Sequence, residues 1–308
     1  MTLPEIERLF AQGRYLEVRL ATEQAAQMDD HQREKQLYAL TLSKSGAAGT
    51  AEKFFRKVYE VAPQNPENAG IMGGILKELF RYTREQHYAV EARKIYLDNF
   101  NVTANYYTGI NAAAMHAVTG SMGAARDIAR NLISGLQPST TDFWEIVTLA
   151  EAKLLLKQTA EAIELYNAGR KLAGQDWGKV NSVFKQLWLL NHYFTVPRII
   201  IKAFSPPNVA AFVGHMIDKV GARTRFPESI ASEIKIQIQE RIQLLNIQIG
   251  YCSLACGGDI LFAEALTESL GDVNIILPFP KEDFLETSVR FAGESWVQRF
   301  EALEKKWP

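Results

Sequence analysis

The residues best suited to binding chemistry lie in two short turns near the C-terminal end of the chain. Gly214 and His215 follow the apolar run NVAAFV, and Gly257, Gly258 and Asp259 come a few residues after a second apolar run, IQIGY. Paired glycines let a backbone approach a ligand closely, and the free amides that begin a helix attract an anion. The pattern therefore suits a phosphate group. Glycine-rich turns also occur for packing alone, and the sequence does not separate the two interpretations.

Side chains around these turns could contact such a ligand. His215 could donate to a phosphate or a ribose hydroxyl, and Arg223 and Arg225, in GARTRFPES, could hold a phosphate with parallel hydrogen bonds. Asp259 suits the N-cap of the next helix, and Glu264, five residues further on, could accept from ribose hydroxyls. Each has a plainer alternative: a hydrogen bond within its own loop for His215, a solvated loop for the arginines, and a helix-surface carboxylate for Glu264.

Cys252 and Cys256 are four residues apart, a spacing that raises the question of a metal site. A zinc site needs three or four ligands, the chain has no further cysteine, and His215 alone cannot complete a set. The two cysteines are therefore expected to be small buried thiols, and no metal site is predicted. The sequence also lacks a HExxH motif, a Gly-x-Ser-x-Gly elbow and a Gly-x-x-x-x-Gly-Lys-Ser/Thr loop, so nucleophilic catalysis and ATP hydrolysis lack their usual parts.

Strands and helices alternate around the two turns. The run NVAAFVG is typical of a short buried strand, PESIASEIKIQIQERIQLLN of a helix, IQIGY of a strand, GGDILFAEALTESLG of a helix and VNIILPF of a third strand. This order predicts parallel pairing in a Rossmann-like layer. Ligands of open parallel sheets bind beyond the carboxyl ends of the strands, where both turns fall.

Up to about residue 202 the pattern is helical, with apolar residues three and four apart and short breaks between. In AEKFFRKVYEVAPQNPE, Ala51 and Phe55 take the small and aromatic positions of the second helix of a tetratricopeptide repeat, and Ala162 begins a similar unit. Weaker copies begin at Ala92 and Ala125, which gives steps of 41, 33 and 37 residues between the alanines. These steps are close to the repeat's period of roughly 34 residues.

Together the two patterns predict an α plus α/β chain. Residues 1–200 are expected to form a degenerate tetratricopeptide-like α-solenoid, and residues 201–308 a Rossmann-like domain with a parallel sheet. Helical hairpins stack because one hairpin cannot bury its apolar stripe alone, and the concave surface of such a stack binds peptides or other protein elements. The alternative is that the helices serve only as a scaffold.

Composition narrows the function classes. The chain has 308 residues, with 34 Lys and Arg against 35 Asp and Glu. A formal charge of −1 argues against nucleic-acid binding, which usually brings a basic excess. No run approaches the roughly 20 apolar residues that cross a bilayer, and MTLPEIERLF contains no signal core. Two cysteines cannot build a disulfide framework, so the sequence predicts a cytoplasmic protein without membrane association.

The C-terminal motifs together resemble the SLOG superfamily. VAAFVGHMID, GYCSLACGGDILFAEAL and VNIILPF, over about residues 208–288, are similar to these Rossmann-like domains, which are related to the cytokinin-activating LOG proteins and to DprA. The resemblance implies a sensor of a nucleotide or nucleotide derivative, with Gly214, Gly258 and Glu264 at the family's loop, turn and helix positions. The signature Pro-Gly-Gly-x-Gly-Thr-x-x-Glu of the enzymatic members is absent, since a cysteine replaces the proline and no Gly-Thr follows the glycine pair.

The N-terminal part is similar to the tetratricopeptide sensor modules of bacterial conflict and signalling proteins. It also resembles the region ahead of the kinase domain in apoptosis-signal-regulating kinases. Such proteins usually carry a further effector domain, so this resemblance implies that the chain is a fragment of a longer protein.

The leading hypothesis is a sensor. The C-terminal domain is expected to bind a nucleotide-derived or ADP-ribose-type ligand, without a cofactor, and the solenoid to relay its occupancy to a protein partner or effector. One alternative is a LOG-like nucleotide N-glycosidic hydrolase with Glu264 as its acidic residue, and the other is a pure protein-interaction scaffold. The sequence leaves open the identity of the ligand, the identity of the partner, and the formation of a homo-oligomer.

Overall fold

The computed structural model describes residues 1–28, 30–136, 141–174, 176–219, 221 and 224–307. The chain divides into two units, Met1–Pro206 and Pro207–Pro308. The expected α plus α/β class is confirmed, because helices build the first unit and the second combines helices with a parallel sheet. None of the helices in these described ranges is long and apolar enough to cross a membrane.

The first unit is a stack of helices joined by short turns. Its helices are α1 (Leu3–Ala11), α2 (Tyr15–Thr22), α3 (Gln32–Lys44), α4 (Ala48–Val61), α5 (Pro66–Thr83), α6 (Gln86–Thr103), α7 (Tyr106–Val118), α8 (Met122–Gly135), α9 (Phe143–Leu155), α10 (Thr159–Ala173), α11 (Trp177–Asn191) and α12 (Arg198–Ala203). Each helix packs on the next, and α3, α5, α7 and α9 also pack on one another in sequence, with α11 on α7. These alternate helices form the inner layer of the stack.

Four of the five inner helices begin at side-chain caps, and α3 does not. The cap residues of α5, α7, α9 and α11, whose side chains accept from amides of the first turn, are Asn65, Asn105, Asp142 and Asp176. Such caps satisfy amides that have no partner inside the helix. Pro66 follows the cap of α5 at its first position, where a missing amide costs nothing. The caps therefore fix where these four helices begin.

The outer helices carry the alanines of the predicted repeat. Ala51, Ala92, Ala125 and Ala162, in α4, α6, α8 and α10, are completely buried. Each precedes the C-cap residue of its helix by 11 or 12 residues. The step from Ala51 to Ala92 is longer than the next one, mainly because α5 has 18 residues against 13 in α7, and also because α6 begins six residues ahead of its alanine against three in α8. The small side chains let neighbouring helices approach closely.

The second unit alternates strands and helices as expected. Its elements are β1 (Asn208–Ala211), α13 (Ala231–Leu244), β2 (Ile247–Cys252), α14 (Gly258–Glu268), β3 (Asp272–Ile275), α15 (Lys281–Ser288) and α16 (Glu294–Lys306). The strand order is β1-β2-β3, and both pairings are parallel. Ala210 lies opposite Gly250, which lies opposite Val273, so the carboxyl ends of the strands reach one edge together.

Helices cover one face of this sheet. Phe212, directly after β1, stacks on Phe262 of α14 with the ring centroids 4.5 Å apart, and Val273 of β3 is also buried. On the opposite face, Val209 is 58% and Val213 is 94% exposed. The expectation that the first strand is buried is therefore wrong for this face, because α13 and α14 pack side by side on the other one.

Candidate functional site

The two turns predicted to bind a ligand lie against each other in the second unit. The backbone amide of Gly258 donates to the carbonyl oxygen of His215 at 2.9 Å, and the amide of Ile217 donates to that of Cys256 at 3.1 Å. The loop after β1 thus lies over the first turn of α14. The carbonyl oxygen of His215 therefore accepts a hydrogen bond from the amide of Gly258, which could otherwise bind an anion.

The glycines of these turns are required by their contact. Gly257 has a φ of +105°, in the region that favours glycine, and a Cβ there would lie 2.6 Å from the carbonyl oxygen of His215. A Cβ on Gly258 would lie 2.8 Å from the Cα of Gly214. Packing of the two turns therefore accounts for the glycine pair without a ligand.

Asp259 is buried and ties these turns together. Its carboxylate accepts from the amide of Gly214 at 2.9 Å and from the hydroxyl of Ser253. Burial raises the pKa of Asp259, while hydrogen bonds from Ser253, Gly214 and Ala255 oppose the rise. The expectation that Asp259 caps α14 is wrong. The N-cap residue is Gly257, and the oxygens of Asp259 are used by the loops instead.

Glu264 takes part in a separate ion-pair cluster. Its carboxylate accepts two hydrogen bonds from the guanidinium of Arg299, at 2.6 and 2.7 Å, and lies 3.2 Å from the ammonium of Lys235. Burial alone would raise the pKa of Glu264, but Arg299 and Lys235 hold it below its ordinary value. The side chain joins α14 to α16 and α13, and the structure does not bring it together with Gly214 and Gly258.

The other predicted contacts are exposed or lie outside the described part. The side chain of His215 is exposed, and that of Arg225 is exposed without a partner among the described residues. The amide of Arg225 donates to the carboxylate of Asp218 at 2.9 Å, which closes this loop. Arg223 lies outside the described residues. Of the predicted set, the structure brings together the residues of the two turns.

Both cysteines are buried and free. Burial raises the pKa of Cys252 to about 12 and that of Cys256 to about 11. Because the thiolate is the reactive form, neither side chain is a nucleophile at neutral pH. Over the described ranges, no three or more His, Cys, Asp or Glu side chains are grouped so as to hold a metal ion.

A second group of polar side chains, which the sequence did not single out, lines a cavity of about 300 Å³ in the first unit. We call this cavity the cleft. It lies between α3, α5 and α11, and α2, α6 and α7 also contribute. Its charged lining residues are Lys44, Lys77, Arg81, Lys185, Glu67 and Glu78. Four cations against two carboxylates give the lining an excess of positive charge.

The two carboxylates of the cleft are already engaged. Glu78 accepts from Arg81 at 2.8 Å and from Lys185 at 3.2 Å. Glu67 pairs with Arg33 at 3.1 Å. Within the described part of the chain, these pairs leave the two remaining lysines of the cleft without a carboxylate at ion-pair distance.

Lys44 is the least compensated of the cations. Its ammonium lies 5.9 Å from the ring centroids of both Phe10 and Tyr15 but has no ion pair or hydrogen bond to any described residue. The side chain reaches solvent, yet desolvation by the cleft walls lowers its pKa, and the charge of Lys185 lowers it further against the opposing effect of Glu78. An anion bound here would remove the repulsion between the two lysines.

A smaller cavity of about 90 Å³ adjoins the cleft. The lining residues common to both are Lys77, Tyr107, Ser182 and Gln186. The smaller cavity adds the buried Glu151 and the ring of Trp144, which is 38% exposed. The residue before it, Phe143, is buried in the core instead. The smaller cavity therefore places the aromatic ring of Trp144 beside polar side chains.

A chain of hydrogen bonds separates the two cavities. The ammonium of Lys77 donates to Asn111 at 2.6 Å and to Gln186 at 2.8 Å, and the amide of Gln186 donates to Glu151 at 2.8 Å. Burial lowers the pKa of Lys77 and raises that of Glu151. Both charged forms are therefore costly in the absence of a ligand, and a polar ligand that adds hydrogen bonds to them lowers that cost.

The sequence contains one signal for this cluster. Lys77 and Asn111 are 34 residues apart, and Glu151 and Gln186 are 35 apart. Each interval is one repeat period, so these polar side chains recur at matching levels of successive inner helices. Polar residues that recur at this interval indicate the inner face of a solenoid.

A match to a family model supports the helical-repeat description of the first unit. The model of the Tetratricopeptide Repeats-Sensor family (TPR-S) matches residues 14–116, about a third of the chain. A search of curated proteins found no match. Similar solved structures include a thermophilic TPR protein of Thermus thermophilus, at 17% identity over 60% of this chain and 97% of that chain with a TM-score of 0.48. Another is a MamA RS-1 ArsTM double mutant, at 14% identity over 57% and 92% with a TM-score of 0.33.

The family match covers part of the first unit, including some residues that line the cleft. It runs from the start of α2 into α7 and includes Lys44, Lys77 and Asn111. The resemblance to tetratricopeptide sensor modules is thereby confirmed for part of the first unit. The resemblances to the SLOG superfamily and to apoptosis-signal-regulating kinases stay predictions.

Proposed function

We propose that the chain is a sensor of a small, anionic, nucleotide-derived ligand that binds in the cleft of the first unit and changes the affinity of the chain for a protein partner. The helical-repeat architecture and the family match support a sensing or protein-interaction role. The cleft supplies positive charge for phosphates, and the smaller cavity supplies an aromatic face and polar groups for a base. The partner would be the effector of a bacterial regulatory or conflict system.

The observation that carries this proposal is the uncompensated ammonium of Lys44. The charge of Lys185 acts on it, and both carboxylates of the cavity are already paired, Glu78 with Arg81 and Lys185 and Glu67 with Arg33. A phosphate bound by Lys44 would offset the repulsion from Lys185 and add a charge-assisted hydrogen bond. Each such bond contributes about 1.5–3 kcal/mol.

The position of the cleft suits a relay. It is lined by α3, α5 and α11, which belong to different hairpins of the stack. A ligand that contacts all three binds more tightly when the hairpins are close together. Binding therefore shifts the population of the stack toward that arrangement, and a partner that recognises it binds better.

Calorimetric titration of the full chain with ATP, ADP-ribose, NAD and a cyclic dinucleotide tests the proposal. We expect one of them to bind, and Lys44→Ala to weaken that binding by about tenfold or more, because a charge-assisted hydrogen bond is lost. The matched control is Lys57→Ala, which removes an exposed lysine of α4 that does not line the cleft. Failure of all four ligands to bind the folded chain would contradict the proposal, as would equal affinity of Lys44→Ala and wild type.

A second candidate places the nucleotide at the carboxyl ends of β1 and β2, as the sequence suggested. One observation favours it: His215 and Arg225 present exposed side chains on the same loop. The same titration on a His215→Ala, Arg225→Ala double variant distinguishes the two sites. Loss of affinity there, with Lys44→Ala unchanged, would move the ligand to the second unit.

The hydrolase alternative gains no support from Glu264. A general acid must hold its proton near the working pH. The pKa of Glu264 is lowered instead, and both of its oxygens accept from Arg299. We therefore propose ligand binding rather than hydrolysis.

A further inference from the structure

A cluster of exposed aromatic and basic side chains lies at the edge of the cleft. It surrounds a cavity of about 100 Å³ where the C-terminal ends of α5 and α11 meet. We call it the rim patch, and its residues are Arg81, Tyr82, Arg84, Trp188, Leu189 and His192. The rings of Phe80 and Tyr193, 6.5 Å apart beside it, join the two helix ends.

The aromatic part of the rim patch is unusually open to solvent. Trp188 is 48% exposed and Tyr82 is 67% exposed. Trp188 is nevertheless held in place, since it stacks on Phe184 with centroids 6.1 Å apart and meets the edge of His192 at 5.7 Å. A fixed and exposed tryptophan loses little conformational entropy when a partner covers it. Tryptophan, tyrosine and arginine also carry most of the binding energy of protein interfaces.

The charged part of the rim patch is positive. Arg84 ends α5 with a φ of +63°, and its guanidinium has no partner among the residues that the structure describes. Arg81 is held by Glu78 from the side of the cleft. The lining of the cavity contains no carboxylate, and Glu85, next along the chain, lies 3.4 Å from His87 instead.

We propose that the rim patch docks an acidic segment of a protein partner. One apolar side chain of the segment fills the cavity against Trp188, and carboxylates on either side of it bind Arg84 and Arg81. Arginine binds carboxylates through two parallel hydrogen bonds, so an acidic segment pairs the guanidinium of Arg84 and brings a second carboxylate to Arg81, beside Glu78. A lysine-rich segment is repelled, and a purely apolar segment leaves Arg84 without a carboxylate. The docking itself rests on the proposed function only in taking the partner to be a protein, whereas its response to a ligand rests also on the proposed binding in the cleft.

The rim patch is placed to respond to the ligand. Arg81 and Leu189 line both the rim cavity and the cleft. An anion in the cleft that draws Arg81 away from Glu78 therefore changes the charge presented to the partner. A single side chain, that of Arg81, thus connects the ligand site to the surface that binds the partner.

Fluorescence anisotropy on the full chain, with no nucleotide present, tests the docking surface. The probe is a fluorescein-labelled nonapeptide of glutamate with a single central leucine, and the comparison peptide replaces every glutamate with lysine. We expect the acidic peptide to bind and Arg84→Glu and Trp188→Ala each to weaken it by about tenfold or more. The matched control, Arg130→Ala, removes an exposed arginine of α8 and should bind as wild type does.

The inference would be overturned if the wild type did not bind the acidic peptide, or if it preferred the lysine peptide. It would also be overturned if both rim variants, with circular dichroism like that of the wild type, bound the acidic peptide as tightly as the wild type does. Because the assay contains no nucleotide, these results would not bear on the proposed binding of a ligand in the cleft. Conversely, loss of nucleotide binding in Lys44→Ala, with unchanged peptide binding, would separate the ligand site from the docking surface.

Discussion

Single glycines in the second unit determine how its two turns meet. Gly257 and Gly293 have nearly the same φ, +105° and +108°, so any other residue is strained at both. They differ in their surroundings. A Cβ on Gly257 would press on the carbonyl oxygen of His215, whereas nothing lies within 4 Å of a Cβ on Gly293. This pair therefore separates the cost of backbone strain from the cost of the contact between turns.

We expect Gly293→Ala to destabilise the second unit by about 1–2 kcal/mol, through backbone strain alone. Gly257→Ala should cost about 2–4 kcal/mol, because the clash adds to the strain. Hydrogen exchange of the backbone amides of α14 measures both in the full chain. Equal loss of protection in the two variants would show that the turns do not pack as described.

At the scale of elements, α5 carries two adjacent glycines with different neighbours. A Cβ on Gly73 would lie 2.5 Å from the ring of Tyr96, which is itself 1% exposed and cannot move aside. A Cβ on Gly74 would meet only the hydroxyl of Tyr96, at 3.8 Å. The close packing of α5 and α6 around that ring therefore requires a glycine at position 73. It does not require one at position 74.

Gly73→Ala should lower the free energy of unfolding of the first unit by about 1–3 kcal/mol through overpacking. Gly74→Ala should raise it by up to about 1 kcal/mol, since alanine favours a helix over glycine. Thermal unfolding followed by the helical circular dichroism signal compares the two. A destabilisation of the same size by both would contradict the close packing of α5 on Tyr96.

The order of the strands and helices could be predicted from the sequence. Which face of the sheet the helices cover could not. Alternation of apolar runs gave the order of β1, α13, β2, α14 and β3, because period and length are local properties. The open face at Val209 depends on which side the helices pack, and this is not local. The cleft is less visible still, since Lys77 and Gln186 are 109 residues apart and meet only in the folded stack. The glycine pair could be recognised in the sequence. Its role could not be predicted, because a turn that binds a ligand and a turn that packs against another loop have the same glycine pattern.

At the scale of the whole molecule, two units offer two kinds of site. The turns of the second unit satisfy their own backbone groups through His215, Gly258 and Asp259. The cleft of the first unit leaves Lys44 uncompensated and holds Lys77 beside Glu151 at a cost to both charges. The central claim of the proposed function is that a ligand binds in the cleft, where it would relieve this unfavourable arrangement of charges.

Hydrogen–deuterium exchange of the full chain, with and without the nucleotide that binds most tightly in the titrations, locates the ligand directly. We expect slower exchange in the stretches of α3, α5 and α11 that contain Lys44, Lys77 and Lys185. Exchange over residues 211–217 and 253–259 should stay as it is in the free chain. Protection confined to those two turns, or an unchanged pattern in α3, α5 and α11 at saturating nucleotide, would contradict binding in the cleft.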